Sequence, residues 1–316
     1  MIKKLAGYLK LIKRSHRQID EIHGRMAELQ LPNEKLNQKI VEEFSKKLDL
    51  QTVAIADEIR LSNVKESLLQ AGRVSASLIA DSYADTQKAG NYIPAKKQSF
   101  GKLLGDMKKV NPKLFPVWHQ LFENFKKDSI GNVDGFFSHW DQEYARLFSA
   151  YINLHARGRI LDIGCGNQGL PVYLSNFPTE MISGIDPLPA DAAAEFEQVQ
   201  GFNEFLPWPD GAFNTAVNAT SLDHVLSLDL ALRETARVLA PGGRFIVWIA
   251  SVPGSPAFDT DQDAFKAIDR YHLFHFERQW IEPLIKKYFR FVDITIIPQP
   301  GFDHVFYSLT PLKANR

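Results

Sequence analysis

Arg159-Ile-Leu-Asp-Ile-Gly-Cys-Gly-Asn-Gln-Gly169 is the stretch that decides how this chain is read. Gly164, Gly166 and Gly169 fit the G-x-G-x-x-G spacing after an apolar strand, a pattern that usually seats a pyrophosphate on a helix N-terminus. Glycine permits both the tight turn and the close backbone approach of a ligand. Asp162 opposes the usual ligand. Its carboxylate lies two residues before the first glycine and would face the phosphates, and like charges repel strongly in a partly desolvated cleft. A nucleotide cofactor with positive charge there and no phosphate fits better, and S-adenosylmethionine (SAM), with its ammonium and sulfonium groups, is such a molecule. Asp186 follows Gly166 by 20 residues, the spacing of a carboxylate that accepts hydrogen bonds from two ribose hydroxyls.

Outward from this motif, the chain divides by charge. Residues 1–130 carry 23 Lys+Arg against 15 Asp+Glu, whereas residues 131–316 carry 14 against 22, so a net of +8 faces a net of −8 within a neutral whole. The expected organisation is a helical N-terminal extension over 1–130 and a Rossmann-like SAM-binding domain over 131–316. The basic extension suits RNA, an anionic membrane surface or the acidic half itself. An apolar fraction of 45% and a charged fraction of 23% are ordinary for a globular protein and exclude a wholly disordered chain. The single cysteine, Cys165, leaves no internal disulfide, no Cys/His spacing typical of zinc is present, and no signal-peptide core follows Met1. No metal and a cytoplasmic location are therefore expected.

The first half reads as helix, with Ile19, Ile22, Met26 and Leu29 and then Ile40, Phe44 and Leu48 at three- and four-residue steps. Helices are also expected near 116–127 and 136–154. From Arg159 onward short apolar runs alternate with helices. Strands are expected at 160–163, 181–185, 215–218 and 245–249, with helices near 171–175, 190–198 and 228–239. This alternation predicts an α/β fold with a doubly wound sheet. The runs 291–297 and 304–309, joined by Pro298-Gln-Pro-Gly301, predict a terminal antiparallel pair.

Four motifs in order, Ile-Leu-Asp-Ile-Gly-Cys-Gly (160–166), Gly-Ile-Asp (184–186), Leu-Pro-Trp-Pro-Asp-Gly-Ala-Phe (206–213) and Arg-Val-Leu-Ala-Pro-Gly-Gly-Arg-Phe (237–245), resemble the class I SAM-dependent methyltransferases of the type 11-like kind over roughly residues 136–310. The resemblance implies a seven-stranded sheet with an antiparallel last strand. It further implies that Asp162 lies near the methionine ammonium, that Gly164 and Gly166 pass under the cofactor, that Asp186 holds the ribose and that the Asn218 backbone faces the methionine end. Relatives commonly hold the adenine with an acidic residue where this chain has Phe202, so Asn203 or Glu204 is expected to serve instead. A second resemblance, through residues 185–188, 220–225 and 271–276, is to methyltransferases of bacterial surface-polysaccharide biosynthesis.

The expected activity is SAM-dependent methyl transfer to a small-molecule or carbohydrate acceptor, with oxygen the favoured atom. His224, after the fourth strand, suits a general base that removes an acceptor proton, although it equally suits a role in capping or packing. Asp223 either orients His224 or caps the next helix. No Asn/Asp-Pro-Pro-aromatic run stands there, which disfavours base N-methylation. His272 and His275 are expected to line the acceptor pocket and, with no carboxylate fixed beside them, to be structural. Trp140 or Tyr144 suits either the sulfonium or core packing. Residues 1–19 form a basic amphipathic pattern that fits either peripheral membrane contact or docking on neighbouring helices or a second subunit, the latter giving a homo-oligomer. Two other readings stay open: an RNA methyltransferase that uses the basic extension, and a catalytically silent methyltransferase-like subunit.

Overall fold

The computed structural model describes residues 61–70, 94–129, 142–167, 169–189, 194–259 and 266–312. The patterns at 1–19 and 19–48, and Trp140, lie outside the described residues. Packing divides the chain into two units, Met1–Ser67 and Leu68–Arg316. In the first unit the described residues 61–67 are helical.

The second unit is built on a seven-stranded sheet. Its strands are β1 (Ile160–Ile163), β2 (Ile182–Asp186), β3 (Glu197–Gln200), β4 (Phe213–Ala219), β5 (Leu239–Ser251), β6 (Phe289–Gln299) and β7 (Phe302–Pro311), in the order β3-β2-β1-β4-β5-β7-β6. β1 and β2 are buried along their whole length, as strands covered on both faces must be, with the polar Asp162, Ser183 and Asp186 buried among their apolar residues. Strands β1 to β5 pair in parallel, and β7 runs antiparallel to both β5 and β6. The expected terminal pair is this β6–β7 hairpin, with β7 inserted beside β5. The chain winds outward from β1 through β2 to β3 and then returns to place β4 on the other side of β1. Such a reversal opens a crevice at the carboxyl ends of β1 and β4.

Helices α1 (Phe100–Val110), α2 (Phe115–Ser129), α3 (Glu143–His155), α4 (Leu228–Val238) and α5 (Arg278–Ile285) accompany the sheet. Asn111 starts α2 by accepting the Leu114 N–H at 2.9 Å, which satisfies one of the donors a helix start leaves open. Leu103 and Met107 of α1 and Trp118, Leu121 and Phe122 of α2 join one hydrophobic cluster with Ile163, Ile185 and Phe202. Residues 100–129 thus pack with the sheet, and the packing boundary falls at Ser67, well before the change of charge at residue 130. Charge composition follows solvated faces, whereas the unit boundary follows apolar contact.

Two expected helices differ. Residues 197 and 198, the end of the run expected as helix over 190–198, belong to β3, because Gln198 and Val199 pair with Gly184 and Ile185 and the sheet overrides local helix propensity. The run at 171–175 contains only a 3₁₀ turn, Val172–Leu174, consistent with Pro171 at its entrance. Among the described residues no helix is long and apolar enough to cross a membrane.

Candidate active site

A cavity of about 530 Å³ opens at the carboxyl ends of β1, β2 and β4. Gly164 stands on its wall with φ +81°, and a Cβ at that position would overlap the Ser221 side chain. The glycine therefore serves both turn and packing. Ser221 donates its hydroxyl to the Ile163 carbonyl at 3.0 Å, and its N–H donates to Asn218 Oδ1 at 3.3 Å, so the loop after β4 is sewn to β1. Between them Thr220 holds φ +56°, a left-handed backbone that a β-branched residue rarely adopts, on the cavity wall.

Asp186 ends β2 and lines the cavity. Its Oδ2 accepts the Gly166 N–H at 2.9 Å and its Oδ1 accepts the Leu188 N–H at 2.8 Å. An ionised carboxylate offers about four lone-pair sites, so two remain for a ligand. Burial pushes its carboxyl up to about 6, opposed by those two N–H groups. Asp162 and Gly166 stand behind the wall rather than on it. Asp162 is fully buried and receives the Tyr173 hydroxyl, 3.0 Å from Oδ2, and burial pushes its carboxyl up to about 7. Tyr173 is the partner that sequence reading missed; nothing in its spacing connects it to Asp162.

The structure separates the two residues expected at the adenine. Glu204 accepts the Leu226 and Ser227 N–H groups at 2.7 and 3.1 Å, just ahead of α4, while its carboxyl is pushed up to about 7 by burial. Its carboxylate is thus already engaged by backbone. Asn203 Oδ1 accepts the Thr235 hydroxyl at 3.1 Å, and its Nδ2 is buried without a partner among the described residues. Both residues line the cavity, as does Phe202, which packs on Phe100, Trp118 and Phe122.

The cavity is also lined by Phe125, Asp223, His224, Tyr271, His272 and His275. The His224 ring lies 4.5 Å from the His272 ring and 5.0 Å from the Phe125 ring, and its carbonyl accepts the Trp118 indole N–H at 2.8 Å. Burial lowers the His224 pKa, with Asp223 opposing, so its imidazole is neutral near pH 7. Asp269, which sequence reading passed over, lies between the two other histidines: His272 Nδ1 and His275 Nε2 are each 2.8 Å from its Oδ2. The expectation that no carboxylate is fixed beside them is therefore corrected. The turn from Asp269 to His272 brings that carboxylate back onto the rings, with the Tyr271 and His272 N–H groups on its Oδ1 at 2.7 and 2.8 Å. Although burial raises it, the Asp269 carboxyl is held below the usual carboxylate range by the Tyr271 N–H and the two imidazoles. The segment is tied to α2 by Tyr271 and Arg270, both bonded to Asp128. Tyr144 does not line the cavity; it packs at 4.1 Å on His304, which does.

Residues 136–284 match the family model described as a methyltransferase domain. They form a class I SAM-dependent methyltransferase domain. Among similar proteins, the 27-O-demethylrifamycin SV methyltransferase of Amycolatopsis mediterranei is 27% identical over 42% of this chain and 57% of its own length. The fatty-acid O-methyltransferase of Mycolicibacterium smegmatis is 37% identical over 28% of this chain and 35% of its own length. A demethylmenaquinone methyltransferase of Mycolicibacterium vanbaalenii is 29% identical over 38% and 54%. The chain thus spans about a third to somewhat over half the length of these relatives. A crystal structure of the Burkholderia thailandensis 1,6-didemethyltoxoflavin-N1-methyltransferase with bound 1,6-didemethyltoxoflavin and S-adenosylhomocysteine aligns at TM-score 0.48 with 17% identity, covering 62% of this chain and 90% of that one.

The methyl donor of this methyltransferase family is SAM, and the residues present suit it chemically. Asp186 keeps lone pairs that a diol would fill, and Asn203 Nδ2 is a buried donor that an adenine ring nitrogen would satisfy. Asp162 is a buried carboxylate that a nearby ammonium would stabilise in its charged form.

Proposed function

We propose that this protein transfers a methyl group from SAM to an oxygen atom of a small hydroxylated acceptor, with a carbohydrate as the acceptor class, in the cytoplasm. The observation that carries this reading is that one cavity is lined both by Asp186, where the donor is seated in this reading, and by the His224–His272 pair, where the acceptor is seated. Asp186 holds the ribose hydroxyls, Gly164 and Gly166 shape the turn beneath the donor, and Asp162 supplies negative charge behind the methionine ammonium. Asn203 meets the adenine, Glu204 supports that wall through α4, and the Asn218 backbone borders the methionine end.

SAM, when bound, supplies a methyl group: an O–C bond forms, the C–S bond breaks with its electron pair returning to sulfur, and the acceptor hydroxyl loses its proton. The chain aligns the two partners, and alignment for in-line displacement supplies much of the rate. Removal of the acceptor proton depends on His224, whose neutral ring lies on that wall. Phe125 and Tyr271 flank the histidines and offer apolar faces to a sugar ring, while Asp223 and His272 offer polar partners to its hydroxyls. Two relatives bear names that specify oxygen chemistry, which supports the choice of atom.

The test is incubation of the full chain with methyl-labelled SAM and a panel of free and nucleotide-linked sugars, with product analysis by mass spectrometry. Expected is a methyl ether on one sugar hydroxyl. Labelling of a quinone carbon or of RNA, with no sugar labelled, would replace the acceptor class.

A further inference from the structure

The Asp223, His224 and His272 side chains each offer one ligand atom, and these atoms all lie within 4.8 Å of one another. His272 Nε2 stands 3.8 Å from Asp223 Oδ2. Donors at about 2.1 Å from a four-coordinate ion are roughly 3.4 Å apart, so only small rotations separate this set from a coordination shell. Asp223 Oδ1 is buried without a hydrogen-bond partner among the described residues, an anomaly for a carboxylate unless a cation or donor completes it.

Behind this set lies a second layer. Asp269 accepts the Nδ1–H of His272, at 2.8 and 2.9 Å, which orients the ring so that Nε2 faces Asp223. Metal-bound histidines characteristically donate their second N–H to a carboxylate in this way. His275 holds Asp269 from the other side at 2.8 Å.

We propose that Asp223, His224 and His272 bind one first-row divalent cation on the cavity wall, with Asp269 and His275 as the layer that orients His272. Two imidazoles and one carboxylate select zinc, cobalt, manganese or iron over magnesium and calcium, which prefer all-oxygen shells. Three protein ligands leave at least one position open. An acceptor hydroxyl in that position becomes more acidic and releases its proton to solvent before its oxygen attacks the methyl group. His224 acts there as a ligand, so proton removal still depends on it. This role rests on the acceptor occupying that part of the cavity; the ion site itself does not depend on methyl transfer.

The full chain, stripped with a chelator and dialysed, is titrated with Co²⁺ by visible absorption and with Zn²⁺ by calorimetry, and S-adenosylhomocysteine binding is measured on the same samples. Expected is one equivalent of Co²⁺ with a ligand-field band, weakened at least tenfold by Asp223→Asn and by His272→Asn and about tenfold by Asp269→Asn, as for loss of an outer carboxylate. S-adenosylhomocysteine affinity should stay unchanged in all three variants, which also reports that they fold. Absence of a Co²⁺ band in the wild type, or affinity unaltered in both Asp223→Asn and His272→Asn, would overturn the site. Failure of the wild type to bind S-adenosylhomocysteine, with the cobalt results as expected, would instead strike the donor-site reading and leave the ion site standing.

Discussion

Glu204 accepts the backbone N–H of Leu226 at 2.7 Å, which ties the exit of β3 to the approach of α4 across 22 residues. The Ser227 N–H adds a second bond to the same oxygen. Both donors precede α4, where backbone N–H groups lack helical partners, so the carboxylate does the work of an extended cap. Glu204 therefore anchors the approach to α4 while it also lines the cavity.

Glu204→Ala should accordingly lower unfolding stability by about 1–3 kcal/mol, the cost of leaving buried N–H groups unpaired. S-adenosylhomocysteine affinity should change by less than a direct contact would require. Chemical denaturation together with a binding titration checks this. Full stability with abolished binding would return Glu204 to the ligand.

Thr220 occupies a left-handed backbone at φ +56° on the cavity wall. Thr220→Gly should relieve strain and stabilise the fold by about 1 kcal/mol while reducing methyl transfer, because the loop that positions Ser221 and His224 loses definition. Denaturant midpoints and turnover on one acceptor give the two readouts. Loss of stability would show that the threonine side chain, rather than its backbone, is what the loop requires.

The three buried carboxyls, Asp162 at about 7, Asp186 at about 6 and Glu204 at about 7, are raised by burial above the value of about 4 they hold in an unfolded chain. Between pH 4 and 7 the folded protein therefore binds protons that the unfolded chain has released. Their contribution to stability is complete below about pH 4 and is lost as pH rises through 6 to 7. His155 and His224, with pKa values lowered by burial, act oppositely below about 6.5, two groups against three. The cofactor-free protein should thus melt at a higher temperature at pH 5.5 than at pH 7.5, with the difference reduced in Glu204→Gln. A melting temperature that rises between these pH values would refute the assignment.

Much of the fold was legible because its causes are local. Ile160–Ile163 and Ile182–Asp186 are buried on both faces and are largely apolar, and Gly164 takes the positive φ that the turn after β1 requires. What was not legible depends on partners distant in sequence. The β3 residues Gln198 and Val199 are strand only because β2 lies beside them, and Tyr173 meets Asp162 only after the chain has folded. Asp269 is the instructive omission. It lies three and six residues before His272 and His275, and the tight turn at Tyr271 that returns it to both rings has no glycine or proline to mark it.

The donor site is tested most directly by calorimetric titration of S-adenosylhomocysteine into the wild type and Asp186→Ala. Two bonds hold the Asp186 carboxylate in place on the cavity wall and leave about two lone-pair sites for a ligand, so the wild type should bind one equivalent and the variant at least tenfold more weakly. Equal affinity in the two proteins, or no binding by a folded wild type, would contradict the assignment of this cavity to the methyl donor.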